Sequence, residues 1–380
     1  MNKPAQVLLQ KLSSKLSGDF TYQSGRILGS MCTLPHPIGS KTFTTFIDKN
    51  LGDPNLFPNT SRIEKEVVEM IGSLLSNRDA CGWIVSGGSE ANITALWVAR
   101  NSANKHKPEV ILPKTAHFSF KKALDMLQIT PVYIDVNEDY RIKVEDVGKA
   151  INESTVAIVG VAGSSGLGVV DPISELSEIA LQHKIHLHVD AAFGGFIIPF
   201  LKEMGYSIPD FDFRLEGVKS LTVDPHKMGL APIPSGGILF RDESIFSGMC
   251  VKADGGTSNP VLLGTRSGAS ACAVWAVLKY LGHNGYRKII GRCIILTQKL
   301  VDGIKKINGI QLVTEPTLNI VGIKSDSIDI KLIDKELRKK GWATSLFSNY
   351  MRIIVMPHTT SVTLNLFLKD LMEVSEKLCA

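Results

Sequence analysis

Between residues 83 and 240 the chain keeps one rhythm, in which short apolar runs are separated by polar stretches of helical character. The runs are Trp83-Ile84-Val85, Val110-Ile111-Leu112, Val132-Tyr133-Ile134, Val156-Ala157-Ile158-Val159, Ile185-His186-Leu187-His188-Val189, Ser220-Leu221-Thr222-Val223 and Gly237-Ile238-Leu239-Phe240. Helical stretches such as 89 to 101 and 174 to 182 lie between them. Strand, helix, strand in succession implies an α/β fold with a mostly parallel sheet covered on both faces. In such a sheet, functional groups collect where the strands end at their carboxyl side.

At 380 residues, the whole chain predicts a large domain with a smaller one appended. Residues 1 to 20 set Val7, Leu8, Leu9, Leu12 and Leu16 on one helical face that packs against a neighbour. Residues 24 to 60, rich in Gly and Pro, read as an ordered loop lying over another surface. Ser61 reads as an N-cap with Glu64 completing a capping box, ahead of Ile63, Val67, Ile71, Leu74 and Leu75 on one face. A helix is expected over Ala269 to Leu281. A second α/β unit follows, with strands at 310 to 313, 318 to 323 and 351 to 355 and helices near 330 to 340 and 361 to 378. The division expected is an N-terminal segment 1–60, a large domain 61–285 and a small domain 286–380.

Composition narrows the function. A net charge of +5 spread along the chain gives no nucleic-acid footprint and suits a mildly anionic ligand. Six scattered cysteines form neither a zinc spacing nor a disulfide scaffold, which fits a reducing cytosol. The N-terminus lacks a signal-peptide core and no apolar run is long enough to span a bilayer, so a cytoplasmic enzyme without membrane partners is expected.

Six stretches carry chemistry. Ser86-Gly87-Gly88-Ser89-Glu90-Ala91-Asn92 follows a strand and opens a helix, where bare N–H groups suit a phosphate; the competing account makes Ser89 a simple N-cap. Thr115-Ala116-His117-Phe118 offers an imidazole for ring stacking or proton transfer. Ala162-Gly163-Ser164-Ser165-Gly166 is a small hydroxyl-rich strand-end loop. In His186-Leu187-His188-Val189-Asp190-Ala191-Ala192, the carboxylate is followed by small residues that leave room for a flat ring. Such a carboxylate keeps a pyridine nitrogen protonated and so makes the ring an electron sink. A metal site on His186, His188 and Asp190 is the alternative, and it lacks a further ligand, so no metal is expected. In Thr222-Val223-Asp224-Pro225-His226-Lys227-Met228-Gly229, Lys227 reads as a Schiff-base lysine, which needs a semi-buried, partly deprotonated amine; the alternative is a solvated surface lysine. Finally, Arg352 lies inside an apolar strand, where it holds a substrate carboxylate or makes a structural salt bridge.

Taken in order along the chain, a phosphate cradle, a stacking His, Asp190 and Lys227 resemble the fold-type-I pyridoxal-phosphate enzymes, specifically the group II amino-acid decarboxylases. Within them the chain is most similar to the archaeal L-tyrosine/L-aspartate decarboxylases, from Gly29-Ser30-Met31-Cys32 to Arg352-Ile353. The resemblance implies a mostly parallel seven-stranded sheet in the large domain and a smaller C-terminal α/β domain. It implies pyridoxal phosphate on Lys227, with His117 stacked on the ring, Asp190 at its nitrogen and Ala192 beneath it. It places Gly88, Ser89 and His226 at the phosphate and Ser165 near the ring hydroxyl. Arg352 takes the position of the α-carboxylate anchor. The implied assembly is a homodimer with shared sites, to which Leu263-Gly264-Thr265-Arg266 and the segment around His36 contribute across the interface. The implied reaction turns L-tyrosine to tyramine, L-aspartate to β-alanine, or both.

One departure stands out. The family's proton-donating Tyr lies on a mobile loop roughly thirty residues past the lysine, yet no Tyr occurs between Tyr206 and Tyr280. Either His117, Lys227 or water delivers the proton to the α-carbon, or the enzyme is an oxidative decarboxylase or another carbon–carbon lyase. A cysteine desulfurase would need a cysteine on a flexible loop, for which only Cys250 is placed, Cys272 and Cys293 lying in helical stretches.

Overall fold

The computed structural model describes residues 3–249 and 261–379. Its seven apolar runs form one sheet from β1 (Cys81–Val85), β2 (Glu109–Pro113), β3 (Thr130–Ile134), β4 (Thr155–Val161), β5 (His186–Asp190), β6 (Val218–Val223) and β7 (Gly236–Phe240), in the order β1-β7-β6-β5-β4-β2-β3. The β2, β3, β4, β5 and β6 pairings are parallel, and β7 runs antiparallel between β1 and β6. The central strand β4 is buried along its whole length, all seven residues of it, which explains its nearly unbroken apolar character. Helices close in tightly; a Cβ on Gly160 would lie 2.4 Å from Ile173 Cδ1, so any larger residue there would push the side chains of the Ile173–His183 helix aside.

A second sheet of β8 (Gln311–Leu312), β9 (Ile320–Lys324), β10 (Ser345–Leu346) and β11 (Met351–Ile354) is antiparallel throughout, in the order β10-β11-β9-β8. The Ile330–Lys339 and Ser361–Cys379 helices build its core, where Trp342 Nε1 donates to Asp370 Oδ2 at 2.8 Å. Leu28 is buried in that same core, and its segment is stitched on by Leu28 N–H to Ala343 O (2.8 Å) and Ile354 N–H to Leu28 O (2.7 Å). Among the described residues, no helix is long and apolar enough to cross a membrane.

Several local expectations give way. The Gly/Pro-rich stretch contains a helix, Pro37–Thr45, because Pro37 fits the first helical position and His36 Nδ1 accepts from Ile38 N–H at 3.3 Å. The next helix starts at Pro58, not after Ser61, and Phe57 is its N-cap. Glu64 therefore turns inward instead of closing a capping box. Its Oε1 accepts from Ile84 N–H at 2.8 Å, and its carboxylate meets the buried Arg266 guanidinium. The helix expected at Ala269 to Leu281 continues as Gly268–Ile304 through a non-helical Gly282, and the two-residue β10 carried too little pattern to be read. Val7, Leu8, Leu9, Leu12 and Leu16 on the Lys3–Lys15 helix and just beyond it stay exposed in the single chain instead of packing within it.

Candidate active site

Five strand ends converge on one cavity of about 310 Å³, within the ~300–1,000 Å³ of small-ligand sites. Ser86 follows β1, Thr115 and His117 follow β2, Gly163 and Ser165 follow β4, Asp190 ends β5, and Asp224, His226 and Lys227 follow β6. The carboxyl-end rule for open α/β sheets thus holds here.

Lys227 Nζ lies 2.9 Å from Asp224 Oδ2, and both side chains are largely buried. Burial by itself would depress the lysine, but the charge and hydrogen bond of Asp224, followed by the charge of Asp190, outweigh it and raise the pKa. The expectation of a partly deprotonated amine is corrected accordingly: without a ligand, Lys227 is an ammonium held by carboxylates. The other Asp224 oxygen, Oδ1, is buried without a hydrogen-bond partner.

The Gly88–Ala103 helix is capped by Gly87, which provides no side-chain cap, so Ser89 sits inside the first turn and the simple N-cap account fails. Ser86, Gly87, Gly88 and Ser89 all line the cavity. Space there depends on missing side chains. A Cβ on Gly88 would come 2.9 Å from Asp224 Oδ2 and 3.3 Å from Ala192 Cβ, and one on Gly87 would come 3.1 Å from His226 Cε1.

His117 caps the Phe118–Met126 helix, its Nδ1 accepting from Ser119 N–H at 3.3 Å and lying 2.9 Å from Ser119 Oγ. Burial lowers its pKa despite the opposing charge of Asp190, so the ring is neutral. Asp190 is buried, with Oδ1 accepting from Ala192 N–H at 3.1 Å and Oδ2 from Asn92 Nδ2 at 3.0 Å. His186 and His188 share Ser220 Oγ, at 2.7 and 2.8 Å. No group of three or more His, Cys, Asp or Glu side chains among the described residues is arranged to hold a metal.

Burial pushes the pKa of His188 down to about 3. A base depressed in the fold stabilises it above the unfolded value of 6.5, and that contribution is lost as pH falls from 6.5 toward 3. The expected result is a melting temperature that drops on acidification, with about 1.4 kcal/mol lost per pH unit inside that window. His188→Gln, which keeps one donor and one acceptor, should flatten the slope. Thermal melts at pH 7, 6, 5 and 4 check this, and parallel curves for the two proteins would refute it.

Arg352 sits against the cavity wall without lining it. Its guanidinium donates to Ser165 O, to Gly29 O at 2.6 Å and to Ser345 Oγ at 3.2 Å, and it stacks over Phe347 at 5.2 Å. Among the described residues no carboxylate pairs with it, its Nε has no partner, and burial pushes its pKa down to about 10. Thr265 and His36 do not line the cavity: Thr265 is exposed, and His36 lies against Tyr280 with ring centres 5.0 Å apart. Residues 250–260, where the loop tyrosine was sought, lie outside the described residues.

Asp224 and Asn92 were not singled out from sequence, although each had a signal. Asp224 precedes Lys227 by three positions, within one turn, and Asn92 follows Ser89 by three on the same helix. Together the site offers a primary amine, a buried carboxylate, an imidazole and a bare helix N-terminus. Pyridoxal phosphate, with its aldehyde, pyridine nitrogen, ring and phosphate, requires these four partners, and the space kept open at Gly87 and Gly88 admits it.

Comparison with known proteins agrees. Residues 36–325 match the pyridoxal-dependent decarboxylase conserved domain. The chain is 49% identical over 375 residues to an L-aspartate/L-glutamate decarboxylase of Pyrococcus horikoshii, covering 98% of this chain and 97% of that one. It is 50% identical over 355 residues to a probable L-tyrosine/L-aspartate decarboxylase of Methanothermobacter thermautotrophicus, covering 92% and 98%. The fold superposes on a sphingosine-1-phosphate lyase of Burkholderia pseudomallei with a TM-score of 0.91 at 28% identity, covering 100% and 92%.

Proposed function

The chain belongs to the pyridoxal-dependent decarboxylase family, and from that premise we propose that it converts L-aspartate to β-alanine and carbon dioxide. Aspartate is the amino acid common to the names of the relatives of this length, while L-tyrosine, added in the names of the methanogen relatives, is the second reading. The observation that carries the proposal is Arg352, a buried guanidinium with no carboxylate partner among the described residues. Burying that charge is costly until an anion meets it, and a substrate α-carboxylate is a bidentate match.

Pyridoxal phosphate, when bound, supplies the electron sink for the pair released as carbon dioxide leaves. We assign its carbonyl carbon to Lys227, its phosphate to Gly88, Ser89 and His226, and its ring nitrogen to Asp190. His117 and Ala192 take the two ring faces and Ser165 the ring hydroxyl. Asp224, 2.9 Å from Lys227 Nζ, accepts the proton that the amine loses when it acts as a nucleophile. Arg352, anchored between Ser165 and Gly29, fixes the carboxylate and thereby selects which bond at the α-carbon stands perpendicular to the ring. Lys227, kept protonated by Asp224, delivers the proton to the α-carbon in place of the absent tyrosine.

The same proposal includes a cytoplasmic homodimer, with Thr265 and the His36 segment serving the partner's site and 1–60, 61–285 and 286–380 as the structural divisions. The exposed Leu8, Leu9 and Leu12, and exposed Leu262 and Leu263 beside Thr265, support it as apolar surface awaiting a neighbour. The test is to incubate cofactor-loaded protein with aspartate, tyrosine and glutamate separately and assay carbon dioxide, amine, ammonia and aldehyde. Equal amine and carbon dioxide from aspartate is expected. Aldehyde and ammonia in place of amine would replace this reading with oxidative decarboxylation, and absence of carbon dioxide from all three would overturn it.

A further inference from the structure

We infer that Asn92 is a positioning residue that aims the Asp190 carboxylate at the ring nitrogen and shields it from neighbouring proton donors; the inference rests on the cofactor reading above. Asn92 is 1% exposed and sits where four functional groups meet. Its Nδ2 donates to Asp190 Oδ2 and to Ser119 Oγ, each at 3.0 Å, and Ser119 Oγ lies 2.9 Å from His117 Nδ1. On the other side its Oδ1 accepts from Thr222 Oγ1 at 2.7 Å and from His188 Nε2 at 3.1 Å.

This arrangement fits one orientation of the amide. The reverse would set a carbonyl oxygen 3.0 Å from the Asp190 carboxylate, so both amide hydrogens stay committed to the cofactor side. One side chain therefore fixes the carboxylate for the ring nitrogen and, through Ser119, the imidazole for the ring face. An amide also neither gives up nor takes a proton at ordinary pH. The two histidines behind it are thereby cut off from Asp190, whose carboxylate oxygens, among the described residues, accept hydrogen bonds from Asn92 and Ala192. A simple packing residue would explain the burial, but not why every polar atom of the amide is spent on a group at the site or on a brace holding it.

The variant that separates these accounts is Asn92→Asp. It preserves shape and keeps the acceptor for Thr222 and His188, but sets a second carboxylate against Asp190, so the pair holds a proton between them. The readout is binding, without catalysis, of two probes that lack an aldehyde: pyridoxine 5′-phosphate, and its analogue with carbon in place of the ring nitrogen. Wild-type protein should prefer the pyridine probe by at least about tenfold, the worth of one charge-assisted hydrogen bond. Asn92→Asp should lose most of that preference while the affinity for the carbon analogue stays put. Thr222→Val, which removes one brace from the amide, should lose part of it and serves if the first variant does not fold. A preference unchanged in folded Asn92→Asp, or in Thr222→Val if the first fails, overturns the inference. If wild-type protein binds neither probe, the cofactor assignment itself falls, and the inference with it.

Discussion

Lys227→Ala should lower turnover by on the order of 10⁴-fold or more, since the nucleophile that holds the cofactor is removed outright. Two further consequences separate this from damage to the fold. Cofactor should dialyse away from the variant but not from the parent, and borohydride should fix it to the Lys227 peptide in the parent alone. Stability should fall by roughly 3–5 kcal/mol, because the substitution leaves the buried Asp224 carboxylate without its ammonium partner. The folded variant should still bind pyridoxine 5′-phosphate, because the residues proposed for its phosphate and ring nitrogen are untouched. Retained decarboxylation in Lys227→Ala, with cofactor still covalently held, would refute the assignment of this residue.

Arg352→Met should reduce kcat/KM for aspartate by about 30- to 4,000-fold, the range for removing one partner of a buried charge pair at roughly 2–5 kcal/mol. Most of the loss should appear in KM, with cofactor affinity untouched, because the guanidinium sits beside the cavity and not in its lining. Arg352→Lys should not rescue it. A single ammonium cannot reach Ser165 O, Gly29 O and a substrate carboxylate at once, whereas the planar fork can. The same substitution frees two carbonyls, so a melt must accompany the kinetics. A variant with normal KM and lowered stability would assign Arg352 to the alternative weighed from sequence, a purely structural role.

The sheet was legible because its inner strands are runs that helices cover on both faces, so burial is written directly in their composition, whereas the edge strand β3 is mostly exposed. Lys227, Asp190, His117 and Ser89 were legible because a strand-end position and an unusual chemistry coincide there. Other features depended on distance in space, which local pattern does not carry. Glu64 looked like a cap until Arg266, some two hundred residues later in the chain, claimed it. The state of Lys227 is set first by Asp224, three residues away, and only then by Asp190 on another strand, while the Pro37–Thr45 helix was hidden by the Gly and Pro content that usually breaks helices. Asn92 reads in sequence as an unremarkable helix residue, and only the arrangement of Thr222, His188 and Asp190 around it gives it a role.

The hydrogen bond from Arg352 to Gly29 O joins residues 323 positions apart. During synthesis, the strand ends that line the cavity all emerge by Lys227, and β7, which joins β1 to β6, is complete by Phe240. Arg352, the proposed carboxylate anchor, arrives only with β11 and meets a segment made at the very start. The order of the chain thus separates the lining of the pocket from its proposed substrate anchor in time.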